Sequence, residues 1–226
     1  MHPSSRQYPL LIQSLPQSSV AEAFKTLRTN IKFSTDGAEP KVVLVTSAEK
    51  GEGKSTTTAS LVTAYALDNK RVLVIDADLR KPTLHHFFGK SNRLGLSNLL
   101  AQQCSLEEAL LDTGIPNLTM IASGTIALLP TEILGSDRMK DLLQKLAESF
   151  DMVIIDSPPV LMFSDAQILA AQCDGVVMVI NCGRVKAGIV KKAKEQLEFV
   201  GAKVLGATLN NVKKYDEDFH YYYGVK

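Results

Sequence analysis

The chain has 226 residues, a formal net charge of +1, and 45% hydrophobic against 22% charged residues. That length suits one sizeable α/β domain and is short for two. The near-neutral balance, with no long basic run, gives no pull toward nucleic acid. Three cysteines (Cys104, Cys173, Cys182) with no C-x-x-C pair indicate neither a disulfide framework nor a zinc ribbon. Cys173 and Cys182 flank an apolar run and are expected to be small core residues. No run of 18 apolar residues is present and the start lacks a signal-peptide core, so the reducing cytoplasm is the expected compartment. Any membrane role is then expected through a partner.

In chain order, residues 1–17 are expected to form an extended arm, because Pro3, Pro9 and Pro16 disfavour a helix. A helix follows. Ser19 and Glu22 make a capping-box pattern, and Val20, Phe24, Leu27 and Ile31 draw one narrow apolar stripe. From Lys41 the runs KVVLVT, RVLVID, NLTMIA, DMVIID, GVVMVI and KVLGATL are short, β-branched and mostly non-alternating. That pattern predicts strands buried on both faces of a parallel sheet. Helical segments are expected between them over residues 54–68, 97–111 (broken near Cys104), 131–149, 164–172 and 186–200. Ser105 with Glu108 gives a second capping-box pattern. The alternation implies an α/β fold with a doubly wound, mainly parallel sheet and a ligand site at the carboxyl ends of its strands. The expected division is arm 1–17, domain 18–211 and tail 212–226.

The segment VVLVTSAEKGEGKSTTTASL reads as strand, Gly-rich loop and helix start. Gly51 and Gly53 let backbone N–H groups close around phosphate oxygens, as a helix N-terminus also favours. Gly51 through Thr56 (Gly51, Glu52, Gly53, Lys54, Ser55, Thr56) are the candidate nucleotide contacts. Lys54 is expected to reach the β/γ-phosphates and Ser55 to ligate Mg²⁺. Ala48 replaces the first glycine of the general G-x-x-x-x-G-K-[ST] pattern. Further along, RVLVIDADLRKP ends a strand with Asp76 and Asp78, and FDMVIIDSPP ends another with Asp156. Carboxylates at the ends of apolar strands are costly unless they face a cleft or a metal, so the three read as a Mg²⁺ and catalytic cluster.

The tail is KKYDEDFHYYYGVK, and four of the six tyrosines (Tyr215, Tyr221, Tyr222, Tyr223) fall in its last twelve residues. Those residues reach up to roughly 40 Å when extended.

Together, VTSAEKGEGKSTTTASL, VLVIDADLRKP and FDMVIIDSPPVLMFSDA resemble the Walker A, A′ and B motifs of the bacterial tyrosine kinases that control capsule and exopolysaccharide synthesis. ASGTIALLPTEILGSDRM resembles the segment between A′ and B in that family. EAFKTLRTNIKF resembles its N-terminal helix, and the tyrosine tail its autophosphorylation cluster. The resemblance runs from about residue 10 to the end. It implies a fold related to the P-loop ATPases of division-site and partition proteins, with ATP and Mg²⁺ as cofactors. The subtype it suggests has a separate membrane-spanning activator that recruits the chain to the inner face of the cell membrane.

The same resemblance implies that Ser55, Asp78 and Asp156 hold Mg²⁺, that Lys54, Asp76 and Asp78 are catalytic, and that Asp76 accepts the phenolic proton. The roles of Asp76 and Asp78 are interchangeable at this stage. Arg80 or Lys81 is a candidate to steady transferred charge, and Asn210 is a candidate for base recognition or a strand-end turn. Tyr215 and Tyr221–Tyr223 are the implied phosphoacceptors. Glu22, Lys25 and Arg28 correspond to a strip that joins subunits into a ring, expected on the helix side away from the apolar stripe; lysine stands where the family has arginine. A protein-tyrosine phosphatase and proteins of polysaccharide synthesis are the other implied partners.

The principal rival is an ATPase switch of the division-site or partition type, acting by localisation. Such proteins carry a lysine at the second position of the eight-residue loop, where this chain has Glu49. An iron–sulfur ATPase would need thiolates in suitable loops, and a nucleotide-binding scaffold without catalysis would not need the three carboxylates.

Overall fold

Six apolar runs become six parallel strands in the computed structural model, which describes residues 12–35, 37–125 and 129–212. In chain order the elements are α1 (Ser19–Lys32), β1 (Val42–Ser47), α2 (Lys54–Ala66), β2 (Val72–Asp76), α3 (Leu84–Phe87), α4 (Leu96–Leu100), α5 (Leu106–Ala109), β3 (Leu110–Asp112), β4 (Leu118–Ile121), α6 (Pro130–Leu134), α7 (Asp137–Ser149), β5 (Met152–Asp156), α8 (Asp165–Ala170), β6 (Gly175–Asn181), α9 (Ala187–Phe199) and β7 (Val204–Asn210). The sheet order is β3-β4-β2-β5-β1-β6-β7, and only β3 runs antiparallel to its neighbour.

β1, β2 and β5 are buried at every position, because helices cover both faces. Alternate residues divide between two cores. Leu44, Leu73, Ile75, Val153 and Ile155 pack with Leu143, Leu146, Leu169 and Leu197 of α7, α8 and α9. Val43, Val45, Val72, Val74 and Ile154 pack with Ala59, Val62 and Tyr65 of α2 and with Ile31 of α1. β7 differs from the expectation. As an edge strand it is buried at no position, and Gly206, Ala207 and Leu209 are exposed or nearly so.

Several boundaries also differ, each for a local reason. The N-cap of α1 is Ser18, whose hydroxyl accepts from the Ala21 N–H at 3.2 Å; the box expected from Ser19 and Glu22 does not form, because Ala21 at the third helical position has no polar side chain to return the bond. The arm expected over residues 1–17 lies outside the described residues up to 11. Residues 12–14 form a helical turn with Ile12 buried, a correction to the extended reading. The helix expected over 97–111 is two short helices, and its end is strand β3. The Ser105–Glu108 capping box does form, but Leu110 turns extended and pairs with Ile121 at the sheet edge. The helix expected over 131–149 breaks at Gly135, where Ser136 caps α7 through the Met139 N–H. Cys182 is exposed rather than in the core, and Cys173 is half-buried with its thiol donating to the Leu169 carbonyl at 3.1 Å.

Helix α2 is buried from Thr57 to Ala66. Tyr65 is 1% exposed and its hydroxyl has no partner among the described residues. Burial, aided by the Glu39 carboxylate and opposed by Arg28, pushes that phenol above its ordinary range. An unpaired buried hydroxyl is a net cost. Tyr65→Phe is therefore expected to leave the fold intact and raise stability by about 1 kcal/mol, read as a higher urea midpoint at unchanged m-value.

Candidate active site

The order β2-β5-β1 brings three strand ends together: the loop after β1, Asp76 at the end of β2 and Asp156 at the end of β5. In a doubly wound sheet this carboxyl edge is where ligands bind. The loop from Ala48 to Gly53 follows β1 and leads into α2, whose first residue is Lys54. Gly51 (φ 80°) and Gly53 (φ 90°) hold left-handed conformations that a side chain resists. The alanine at the loop's first position is accounted for by packing, since Ala48 is 1% exposed and belongs to the core under α8. The loop after β5 locks onto it: the Val160 N–H donates to the Ser47 carbonyl at 2.9 Å and the Leu161 N–H to the Ala48 carbonyl at 3.3 Å.

Lys54 Nζ lies 3.3 Å from Asp78 Oδ2, and Asp78 Oδ1 accepts the Lys81 N–H at 2.9 Å. Asp76 and Asp156 face each other as register partners on β2 and β5, and both are fully buried. Asp76 Oδ2 accepts the N–H groups of Thr83 and Leu84 at 3.1 and 3.0 Å. Asp156 Oδ1 accepts the Thr58 hydroxyl at 3.3 Å. The other oxygen of each, Asp76 Oδ1 and Asp156 Oδ2, is buried with no partner among the described residues.

Burial and the neighbouring Asp156 hold Asp76 well above the usual carboxylate range. Burial likewise raises Asp156 to about 6, although the Lys54 ammonium and the Ser55 and Thr58 hydroxyls pull it down. Ser55 and Asp156 are thus adjacent. Asp78 is set against Lys54 instead, and no group of three or more His, Cys, Asp or Glu side chains converges into a metal cage among the described residues. Two orphaned carboxylate oxygens, an adjacent hydroxyl, and a loop of left-handed glycines at a helix N-terminus fit a magnesium ion with a phosphate chain.

The remaining expectations divide. Arg80 is committed elsewhere: its guanidinium bonds both oxygens of buried Asp165 at 2.7 and 3.2 Å and lies over the Phe163 ring. It therefore braces the loop after β2 against the start of α8. Lys81 is exposed. Asn210 uses its amide on the loop, donating to the Glu52 carbonyl at 2.9 Å. Glu22 pairs with Lys25 at 2.7 Å. Arg28 does not point away from the packed side of α1 but donates to the Ala64 carbonyl at 2.8 Å. Tyr215 and Tyr221–Tyr223 lie outside the described residues. Sequence reasoning missed Thr58 and Asn181 at this site. Thr58 lies one helical turn beyond Lys54 and was detectable on that spacing, whereas Asn181 depended on the β6–β7 register.

The raised Asp156 has a consequence for stability. Its folded value of about 6 lies above the ordinary carboxylate value of about 3.9, so the folded chain binds this proton more tightly than the unfolded chain. The resulting stabilisation is complete below about pH 4 and is lost as the pH rises through about 6. Asp156→Asn is expected to match the wild type at pH 4 and exceed it by about 1–3 kcal/mol at pH 8 in metal-free buffer. Urea unfolding at the two pH values checks this.

Comparison with known proteins gives the family. A family model described as an AAA domain matches residues 40–211. The tyrosine-protein kinase YwqD of Bacillus subtilis is 41% identical over 99% of this chain and 94% of that one. Among solved structures, the chimerical protein CapA2B2 superposes with a TM-score of 0.87 at 37% identity, covering 91% of each chain. The kinase domain of the Escherichia coli tyrosine kinase ETK gives 0.87 at 33% identity, covering 90% of this chain and 80% of that one. The septum site-determining protein MinD of Pyrococcus horikoshii, complexed with Mg-ADP, shares the fold at a TM-score of 0.66 and 23% identity, covering 79% and 73%. The P-loop, the paired strand-end carboxylates and these whole-length likenesses lead to one assignment: the chain belongs to the bacterial tyrosine kinase family.

Proposed function

We propose that the chain is an ATP- and Mg²⁺-dependent protein-tyrosine kinase that phosphorylates the tyrosines of its own C-terminal tail, between subunits, and regulates capsule or exopolysaccharide synthesis. The observation that carries this reading is the pair of buried, register-matched carboxylates, each with an unpartnered oxygen, beside Lys54 and the glycine loop. When bound, Mg-ATP supplies the γ-phosphoryl group and the cation supplies positive charge between phosphates and carboxylates.

The chain's own residues then have separable tasks. The backbone of Gly51 to Thr56 cradles phosphate oxygens, and Lys54 exchanges Asp78 for the β/γ-phosphates. Ser55 and Asp156 would hold the cation, and Asp78 would be free to join them with Lys54 on the phosphates. Asp76 accepts the phenolic proton as the tyrosine oxygen bonds to the γ-phosphorus and the bond from that phosphorus to the β,γ-bridging oxygen breaks, with ADP as the leaving group. A tyrosine hydroxyl with a pKa of about 10 arrives protonated and benefits from a base. Raising a carboxyl toward neutrality makes it a better one, and burial beside Asp156 raises Asp76.

Glu22, Lys25 and Arg28 join copies of the chain into a ring that presents one subunit's tail to its neighbour's site. Phosphates add roughly −1.5 to −2 charges each beside Asp216, Glu217 and Asp218, and that repulsion releases the tail and loosens the ring. A membrane-spanning activator recruits the chain to the inner face of the membrane, and a phosphatase resets it. None of the described helices is long and apolar enough to cross a membrane.

Phosphopeptide mass spectrometry after incubation with Mg-ATP tests the core of this reading, with and without an activator segment. Phosphotyrosine is expected on Tyr215 or Tyr221–Tyr223 and absent from Lys54→Ala. Mixing Lys54→Ala with an active chain lacking residues 213–226 should place phosphate on the inactive chain's tail; an unlabelled tail there means transfer within one chain. ATP turnover with no phosphotyrosine in any arm would favour the ATPase switch instead.

The proton acceptor is tested by pH. Because Asp76 must be ionised to act, activity is expected to fall on acidification through a value above the usual carboxylate range. Asp76→Asn should lower kcat by about 10²–10³-fold and abolish that acid limb, while Asp78→Asn keeps the limb. The opposite pattern would make Asp78 the base.

A further inference from the structure

A carboxylate inside a phosphate-binding loop needs a reason, because it repels the phosphates for which the loop is shaped. Glu52 is such a group, only 1% exposed. Its Oε1 accepts the Glu49 N–H at 2.6 Å, which closes the loop on itself. Its Oε2 accepts the Asn181 N–H at 3.1 Å, which reaches the end of β6. The Glu52 carbonyl accepts the Asn210 amide at 2.9 Å, from the end of β7. Asn181 and Asn210 are register partners across those two strands.

The ties continue on both sides. The Asn181 amide donates to the Gly51 carbonyl at 3.4 Å, and the Asn211 amide donates to Asn181 Oδ1 at 3.2 Å. Asn211 holds a left-handed φ of 57°, which asparagine tolerates, and its N–H donates to Asn210 Oδ1 at 2.9 Å. The fit is steric as well as polar: a Cβ on Gly53 would lie 2.0 Å from Asn210 Nδ2. Only glycine lets that amide cross the loop.

We propose that Glu52, Asn181, Asn210 and Asn211 form a latch that holds the loop in its phosphate-binding shape before nucleotide arrives. Glu52 and Asn210 are then positioning residues: they act through the backbone of Gly51–Gly53, which they tie to the ends of β6 and β7. The proposal rests on reading this loop as the phosphate cradle. A glutamine at position 52 keeps the size but sets an NH₂ group against a backbone N–H donor, so one of the two ties is lost.

The test uses the full chain with Glu52→Gln, Asn210→Ala and the double substitution. One readout is the dissociation constant of a fluorescent ATP analogue with Mg²⁺. The other is amide hydrogen exchange over residues 48–54 without nucleotide. Each single substitution is expected to weaken binding about tenfold and accelerate exchange in the loop. The double should be little worse than the weaker-binding single, because both open one latch. Wild-type affinity and loop exchange in both singles, accompanied only by a lower Tm, would overturn the proposal. If Glu52→Gln fails to fold, Asn210→Ala decides on the same two readouts. Should the wild type bind no Mg-nucleotide, the kinase reading falls, and the exchange comparison still decides the latch.

Discussion

Asp76 and Asp156 are register partners on adjacent parallel strands, both fully buried, and the like charge created by that register shapes everything around it. Paired strands lie about 4.8 Å apart, so the two carboxylates interact strongly wherever water is excluded. The chain answers from four directions: the N–H groups opening α3 and the hydroxyls of Thr58 and Ser55 donate, and the Lys54 ammonium contributes its charge. These suffice for one oxygen of each carboxylate and leave the other without a partner. A site left short of positive charge in this way is less stable than it would be with amides, and better suited to take up a cation.

Helix α2 explains how so strained a cluster is kept in place. It is buried along most of its length against β1, β2 and β5 on one side and α1 on the other, so its N-terminus has little freedom. Lys54, Ser55 and Thr58 therefore keep their relation to the strand ends. The loop after β2 is braced independently by Arg80, whose bidentate bond to Asp165 joins it to the start of α8. Arg80 is half-exposed but Asp165 is fully buried, and breaking such a pair leaves a buried charge unanswered. A residue that looked like a phosphate ligand in sequence thus serves the geometry of Asp78 from a distance.

Much of this was legible in the sequence, and the part that was not has a common cause. Short non-alternating apolar runs marked every parallel strand, and the glycine loop marked the start of α2, whose all-round burial erases any helical stripe. Asp76 and Asp156 stood out because they end such runs. What stayed hidden was decided by neighbours distant in sequence. β3 exists because Leu110–Asp112 finds an open edge on β4. Asn181 meets Glu52 because β6 lies beside β1. The pairing of Lys54 with Asp78 and of Thr58 with Asp156 depends on strand order, which no local pattern encodes. The break at Gly135 was the exception, since Ser136 is a readable cap.

The charged strip of α1 makes contacts of unequal strength within the single chain. The Glu22–Lys25 pair is 38–42% exposed, and ion pairs so exposed contribute roughly 0–1 kcal/mol. Exchanging it for contacts with another copy costs little. Arg28 is different, being 21% exposed and bonded to the Ala64 carbonyl in the last turn of α2. A cation there complements the carbonyl end of the helix whose other end carries Lys54. An interface that drew Arg28 away would unseat the far end of the nucleotide helix, whereas one that used its remaining N–H groups would leave that end capped. The strip is therefore not uniform: Glu22 and Lys25 form an exposed pair, with Lys25 also donating to the Pro16 carbonyl at 2.8 Å, whereas Arg28 is tied to the last turn of α2.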